Sequence, residues 1–579
     1  MIKKFCLLLI LFSGVRSVNA QIVPFEKNRE LTATYQEMIG FYQLLVKNYD
    51  QMRIFDFGQT DIGKPLNLIV LSGDKIFDPV EIRKQNKRLL LINNGIHPGE
   101  PEGVDASMML VRDLLKRNSI PKNVVICIIP VYNIDGMLNR GRSRVNQNGP
   151  ESYGFRGNYQ NLDLNRDFVK GDSRNSKAFQ KIFNTWQPEV FIDNHTSNGA
   201  DYQYVMTLIA PQKDKLNPIL SNYLTKQMLP DLYKKMKSSN FEMTPYVNSI
   251  EETPDSGITG FLETARYSTG YAALHNTIGF MPETHMLKPY HQRVEGTYKF
   301  MEHVLEILER DSDLIAKNKL KSDAEVKTQD VFPLQWKLDD KNFSLLTFKG
   351  YEAKYKASEI SGLPRLFYDR NEPYEKDIRV FDNYLPSAIV KKPLAYVIPQ
   401  SWQRVIDLMR LNGVQMRALA ADTEIELEMY YIEDYKTVNK PYEGHYLHSQ
   451  VKLRAENQKL KYYEGDFIIF TDQPQNRYIV ETLEPQGVDS YFSWNFFDSI
   501  LGQKEHYSEY VFEDEAARLL KEDSEMLRRL EEEKKKSPAL LQNPHLQLDW
   551  VYRNSKHYEK THMRYPVGRL ISPAKIQFK

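Results

Sequence analysis

Two histidines and two glutamates, each placed just after an apolar run, could together hold a metal ion and move a proton. Residues 89–102 read LLLINNGIHPGEPE. A short buried strand ends there, and His97 and Glu100 follow on one tight turn at its C-terminal end, the edge where ligand sites of open α/β sheets gather. Residues 189–193 (EVFID) form a second such strand, and His195 follows it. A catalytic zinc takes about three nitrogen or oxygen ligands from the protein and keeps one position for water. His97, Glu100 and His195 supply that set. Residues 278–285 (IGFMPETH) bring another apolar run to Glu283. A carboxylate at the same edge could take a proton from metal-activated water and pass it to a leaving amine. His285, two residues on, is a competing candidate ligand.

The spacing of His97 and Glu100 decides nothing by itself, because His303 with Glu306 and His506 with Glu509 repeat it. Those pairs lie in helical or polar surroundings with no buried strand before them, and they read as surface pairs. Context distinguishes the first pair, and context means the elements that carry it. Residues 89–93, 124–131, 189–193 and 278–283 are apolar runs separated by stretches of helical spacing such as 102–116. Continuous apolar strands alternating with helices predict an α/β fold over 21–310, with a mostly parallel or mixed sheet flanked by helices. Residues 297–310 read as its closing helix, and the charged stretch 311–329 as a linker.

Residues 330–579 differ and predict a second, β-rich α+β domain. A strand–helix–strand unit spans 395–419. Strands of period-two alternation are expected at 423–431, 450–455, 466–471 and 477–482. Residues 513–536 read as one charged helix with Leu519, Leu520, Leu527 and Leu530 inward. The aromatic run 491–497 (YFSWNFF) is read as core, and His445 and His448 as structural.

The chain has 579 residues, 41% of them hydrophobic, which excludes wholesale disorder and collagen-like repeats. Its 77 Lys and Arg balance 76 Asp and Glu. A protein built to neutralise phosphates is far more basic, so nucleic-acid binding is not expected. Residues 1–20 read as a secretory leader: Lys3 and Lys4, an apolar stretch at 5–12 too short to span a bilayer, and small residues before Gln21. A secreted or periplasmic protein follows, with no transmembrane segment once the leader is removed. Of two cysteines, Cys6 falls within the leader. Cys127 lies inside VVICIIP and reads as a buried, inert thiol, so no intramolecular disulfide is expected in the mature chain.

Taken jointly, His97-Pro-Gly-Glu100, Asn133-Ile-Asp135-Gly136, Asp163-Leu-Asn165-Arg166, His195 and Glu283 resemble the zinc carboxypeptidases of the carboxypeptidase A type, in the same order along the chain. The resemblance covers roughly residues 30–305 and implies the following roles. His97, Glu100 and His195 would bind one zinc per chain. Glu283 would be general base and then general acid. Asn165 and Arg166 would hold the substrate's terminal carboxylate, a planar guanidinium forking onto it. An upstream arginine would polarise the scissile carbonyl: Arg144 is the first candidate, Arg142 the second, and Arg156 a further one. Tyr267 and Tyr271 are the candidates for a tyrosine that closes on substrate. The second half resembles the C-terminal extension of large secreted bacterial members, which names no activity for it. Two positions depart from the family pattern: Gly99 stands where some relatives carry arginine, and Asp167 where many carry asparagine.

The expected activity is zinc-dependent hydrolysis of a peptide bond near the C-terminus of a peptide or protein substrate. Two alternatives are an amidase or deacylase acting on modified or cell-wall peptides, and a non-catalytic binding protein with a retired peptidase domain.

Overall fold

A computed structural model describes residues 22–579 of the chain, so the expected leader at 1–20 lies outside the described residues. The chain divides into two compact units. The first comprises residues up to 325 together with 337–385, and the second comprises 326–336 together with 386–579.

The first unit is built on a nine-stranded mixed sheet. Its strands are β1 (Met52–Gln59), β2 (Pro65–Leu71), β3 (Arg88–Asn93), β4 (Val124–Ile129), β5 (Val190–Asp193), β6 (His195–Ser197), β7 (Met206–Ile209), β8 (Met243–Pro245) and, after the short β9 (Ile258–Thr259), β10 (Ile278–His285). The order is β1-β2-β4-β3-β5-β10-β7-β8, with β6 also paired to β10. The middle strands β4, β3, β5 and β10 run parallel. Every residue of β3, β4, β5 and β10 is buried. That is why these segments read as unbroken apolar runs rather than as alternating patterns. Both β-branched residues and leucines fill them, and the helices Glu102–Lys116 and Tyr290–Arg310 pack on the same core through Val104, Met108, Val111, Val294, Met301 and Val304. The closing helix is longer than expected, because it begins at Tyr290 rather than near 297.

Asp105, on the helix Glu102–Lys116, ties this packing together. It is fully buried, accepts the Ala33 N–H at 3.1 Å, and accepts the Tyr290 hydroxyl. Burial pushes its carboxyl up to about 6, with Glu102 adding to the rise. The folded state therefore holds a proton that the unfolded chain releases between pH 3.8 and about 6, and the stability tied to this group falls as pH rises through that window. We expect urea unfolding of Asp105→Asn to gain on the wild type between pH 4 and pH 7 by roughly 1–3 kcal/mol, since each tenfold change in proton affinity is worth about 1.4 kcal/mol. An unchanged difference between the two proteins across that range would remove Asp105 from the pH dependence.

The stretch expected as a linker is the helix Ser312–Thr328. Its Ile315 joins the core of the first unit, and Asn217 and Asn276 donate to its Glu325 and Asp323. Of the charges that suggested a linker, Asp313, Lys317 and Lys321 are exposed, while Asp323 and Glu325 bond to the first unit. A second difference lies in 337–385, which the sequence pattern assigned to the second domain. Here β12 (Ser344–Ala357) and β13 (Pro364–Phe381) form a long antiparallel hairpin, and β13 pairs in parallel with β9, so the hairpin folds with the first unit. Its strands are exposed over much of their length, and with little to bury they carry no clean apolar alternation.

The second unit contains a six-stranded sheet and most of a two-stranded ribbon of β11 (Val331–Leu338) and β14 (Tyr384–Lys391), of which 337–338 and 384–385 belong to the first unit. The sheet holds β15 (Ala395–Ile398), β16 (Arg417–Ala418), β17 (Thr423–Thr437), β18 (His448–Tyr462), β19 (Phe467–Phe470) and β20 (Gly568–Leu570) in the order β16-β19-β15-β20-β17-β18. The strand expected at 477–482 is instead the helix Asn476–Leu483, whose inward face buries Tyr478, Ile479 and Leu483. Over so short a run, apolar residues fit a buried strand and a helix face alike. The single helix expected at 513–536 is two, Glu509–Glu522 and Ser524–Lys536. The break falls at Asp523, whose carboxylate caps the second helix by accepting the Met526 N–H. Tyr491, Phe492, Trp494 and Phe497 are buried as expected. His448 makes hydrogen bonds to Thr437 and Asp498.

Candidate active site

The parallel strands deliver the four expected groups to one edge. His97 and Glu100 lie on the turn after β3, closed by the Glu100 N–H donating to the His97 carbonyl at 2.8 Å. His195 begins β6, and in the register of β6 against β10 it stands directly opposite Glu283. The metal-facing atoms of His97, Glu100 and His195 lie within 4.8 Å of one another, and all three residues are buried. His97 Nδ1 and His195 Nδ1 each lie 3.2 Å from a different oxygen of Glu100.

The opposite ring nitrogens are taken by carboxylates. His97 Nε2 is 2.9 Å from Asp163 Oδ1, and His195 Nε2 is 2.9 Å from Asp193 Oδ2. This arrangement turns both Nδ1 atoms inward and fixes the orientation of the rings. Buried His97 Nδ1 makes no hydrogen bond. A buried nitrogen that makes no hydrogen bond, facing a carboxylate and a second imidazole nitrogen, fits a zinc ion, whose usual ligands are these. Among the described residues no other cluster of His, Cys, Asp and Glu comes together in this way.

Charge around the cluster is arranged in layers. Burial alone would raise Glu100, but His97, Arg144 and His195 together hold its carboxyl well below the usual range. Arg144 Nη2 donates to Glu100 Oε1 at 2.9 Å, and Arg156 Nη1 approaches the same oxygen at 3.5 Å. Arg156 also donates twice to Asp163 Oδ2, at 3.0 and 2.8 Å, so it fixes the carboxylate that orients His97. Burial pushes Glu283 up to about 8, with Glu100 adding to the rise and His195 and Arg156 opposing it.

These groups line a cavity of about 570 Å³. Arg144, Arg156 and Arg166 give it cationic walls, while Ile209, Tyr246, Phe261 and Met281 give it an apolar side. Asn165 and Arg166 lie on a short turn capped by Asp163, which accepts the Asn165 N–H at 2.9 Å. The Arg166 guanidinium lies over the Tyr267 ring, 4.6 Å from its centroid.

The structure brings His97, Glu100, His195, Glu283, Arg144, Asn165, Arg166 and Tyr267 to this one cavity. Tyr271, expected as a candidate to close on substrate, does not line the cavity. It is fully buried, its ring packs 5.2 Å from Phe183, and its hydroxyl accepts from Asn184. Tyr267 stands just outside the helix Ser268–Leu274, whereas Tyr271 lies one turn on, within the buried helix. Arg142 is exposed and does not line the cavity. His285 is also removed from the ligand set, since its Nε2 bonds the Ala200 carbonyl at 2.9 Å. His303 is more buried than a surface pair would be and contacts Glu306 at 3.1 Å on one helix.

Sequence reasoning did not assign Asp193, Asp163 and Arg156 their orienting roles. For Asp193 a signal existed: it is a carboxylate two residues before His195 at the end of a buried strand, close enough along the chain to reach the imidazole. The two departures from the family pattern also have local reasons. A side chain at Gly99 would meet the Arg144 guanidinium, with a Cβ only 2.8 Å from Nε. Asp167 forms a buried ion pair with Lys170 at 2.9 Å and accepts from Ser173, which folds the 163–173 turn onto itself.

Residues 38–285 match the family described as zinc carboxypeptidase. Carboxypeptidase 2 of Trichophyton rubrum is 20% identical over 478 residues, covering 79% of this chain and 83% of that protein. Carboxypeptidase 2 of Trichophyton equinum matches to the same extent. Among solved structures, a metallo-carboxypeptidase from Burkholderia cenocepacia is 14% identical with a TM-score of 0.34, covering 48% of this chain and 70% of that one.

Proposed function

We infer, from the premise that residues 38–285 are a zinc carboxypeptidase domain, that this metallocarboxypeptidase-type hydrolase releases the C-terminal residue of peptides. The observation that carries the reading is the shared cavity: three inward-facing metal ligands, Glu283 opposite His195, and Arg166 with Asn165 on one wall.

Zinc held by His97, Glu100 and His195 would supply Lewis-acid polarisation and a water acidic enough to react at neutral pH. Glu283 accepts the proton released as water attacks, and then donates it to the departing amine. Its raised proton affinity suits both halves of that transfer. Arg166 and Asn165 bind the terminal carboxylate and so place the last peptide bond, rather than an internal one, beside Glu283. Arg144 or Arg156 stabilises the negative charge developing on the carbonyl oxygen. Both contact Glu100, so each has a ready route from ligand to substrate.

The side facing Ile209, Tyr246, Phe261 and Met281 carries no formal charge, which favours an apolar or aromatic terminal side chain. The leader-like residues 1–20 support secretion or a periplasmic location. Among the described residues no helix is long and apolar enough to cross a membrane.

The test is an N-blocked dipeptide ending in phenylalanine, with its carboxylate free or amidated. The free form is the expected substrate. Amidation should lower kcat/KM by roughly ten- to a hundredfold, the worth of a charge-assisted hydrogen bond of about 1.5–3 kcal/mol. Equal rates on both forms would replace the exopeptidase reading with the amidase one.

A further inference from the structure

Tyr246 and Phe261 of the cavity's apolar side belong to residues 246–267, and this segment lies against a part of the chain that the family match does not reach. Ile258 and Thr259 pair with Val380 and Phe381 of β13. The next residue, Gly260, has both backbone groups taken by the same neighbour. Its N–H donates to the Phe381 carbonyl at 2.8 Å, and its carbonyl accepts the Tyr384 hydroxyl at 2.7 Å. Two glycines make the approach possible. Gly257 has φ +112°, and a Cβ there would lie 2.9 Å from the Arg379 carbonyl; at Gly260 a Cβ would lie 3.1 Å from Asp382.

From Gly260 the contacts run directly into the site. Phe261 lines the cavity, its ring packs edge-on against Tyr267 at 5.2 Å, and Tyr267 lies under the Arg166 guanidinium. A second set of contacts holds the chain beyond β6. Gln203 donates to the carbonyls of Gly350 and Tyr374 at 2.9 and 3.0 Å, and Arg370 Nε donates to Asp201 at 2.6 Å. Tyr202, Tyr204, Ile258, Phe348, Ile378 and Val380 form one apolar cluster beneath both sets.

We propose that the β12–β13 hairpin and Tyr384 are a built-in brace for the substrate wall, with Tyr384 and the Phe381 carbonyl acting as positioning groups for Phe261, Tyr267 and, through them, Arg166. The brace fixes how the terminal residue is received and leaves metal binding and proton transfer alone. The catalytic unit is therefore incomplete at the family boundary and extends through Tyr384. For its consequence on selectivity, this proposal rests on the exopeptidase reading above.

The test uses the full chain with Tyr384→Phe, which removes one hydroxyl from a position that stays apolar, and Leu345→Thr as an exposed hairpin control. Hydrogen exchange reads the brace without any activity. Amides of 257–261 should exchange faster in Tyr384→Phe, while those of β10 and the control protein keep their wild-type rates. Steady-state kinetics read the consequence. The ratio of kcat/KM for N-blocked dipeptides ending in phenylalanine and in glycine should fall roughly fivefold, in line with the net contribution of one hydrogen bond. KM for the phenylalanine substrate should rise, and zinc should stay at one per chain. A loss of folded protein would lower both substrates equally and leave the ratio unmoved. Wild-type exchange at 257–261 overturns the brace, and so does faster exchange with an unchanged ratio. Faster exchange in a protein whose wild type cleaves neither dipeptide supports the brace and counts against the exopeptidase reading instead.

Discussion

Glu283→Gln will bind zinc as the wild type does and will turn substrate over about 10²–10⁴-fold more slowly, the usual worth of a positioned general base. Pairing of β6 with β10 sets Glu283 opposite His195, yet Glu283 is outside the three-residue set whose ligand atoms converge. Glutamine keeps the volume and the strand position of the side chain, so the ligand geometry should survive. It cannot accept or return a proton. Burial raises the proton affinity of the Glu283 carboxyl above that of an exposed glutamate, the direction that suits a group which takes a proton and then returns it. Metal analysis and steady-state kinetics on one preparation would check both halves. Wild-type turnover in Glu283→Gln would remove this residue from the mechanism, and zinc loss would mean that it is a ligand.

That these four residues come together was legible in the sequence because chemistry and burial coincide there. His97, Glu100, His195 and Glu283 each follow an apolar run, and a buried parallel strand can be written in few ways. The same logic failed where nothing is buried on two sides. The β12–β13 hairpin has exposed strands and no apolar stripe, so no strand is expected there from the pattern. At 477–482 the failure was of another kind, since a helix of about two turns with one buried face shows too few residues to reveal its period. The tyrosines illustrate a finer limit. Tyr267 and Tyr271 are one helical turn apart, and only the position of the helix start sends one toward the cavity and the other into the aromatic core.

The orienting groups show why the ligand set can be read from sequence while its tuning cannot. Asp163 is distant from His97 in the chain, and Arg156 grips Asp163 from a glycine- and asparagine-rich loop with no regular period. Such contacts follow from how a loop closes, which no residue pattern states. Their effect is nevertheless specific. Arg156 occupies Asp163 Oδ2 and leaves Oδ1 for His97, so the imidazole is held from behind with Nδ1 turned to the cavity.

That layering sets the expectation for the metal. His97→Ala will purify with well under one zinc per chain and will lose hydrolysis, because it removes one of only three protein ligands. Asp163→Asn should keep the three ligands and weaken zinc affinity by roughly ten- to a hundredfold, the usual cost of losing an orienting carboxylate. The comparison matters more than either result alone. Competition with a chelator of known affinity would rank the proteins, and circular dichroism would confirm that each remains folded. If His97 serves only as a buried hydrogen-bonding group, both substitutions will leave zinc content unchanged. If it is a ligand held by Asp163, affinity will fall in the order wild type, Asp163→Asn, His97→Ala. Full activity in a metal-free His97→Ala protein would end the zinc account altogether, since no second cluster among the described residues could take its place.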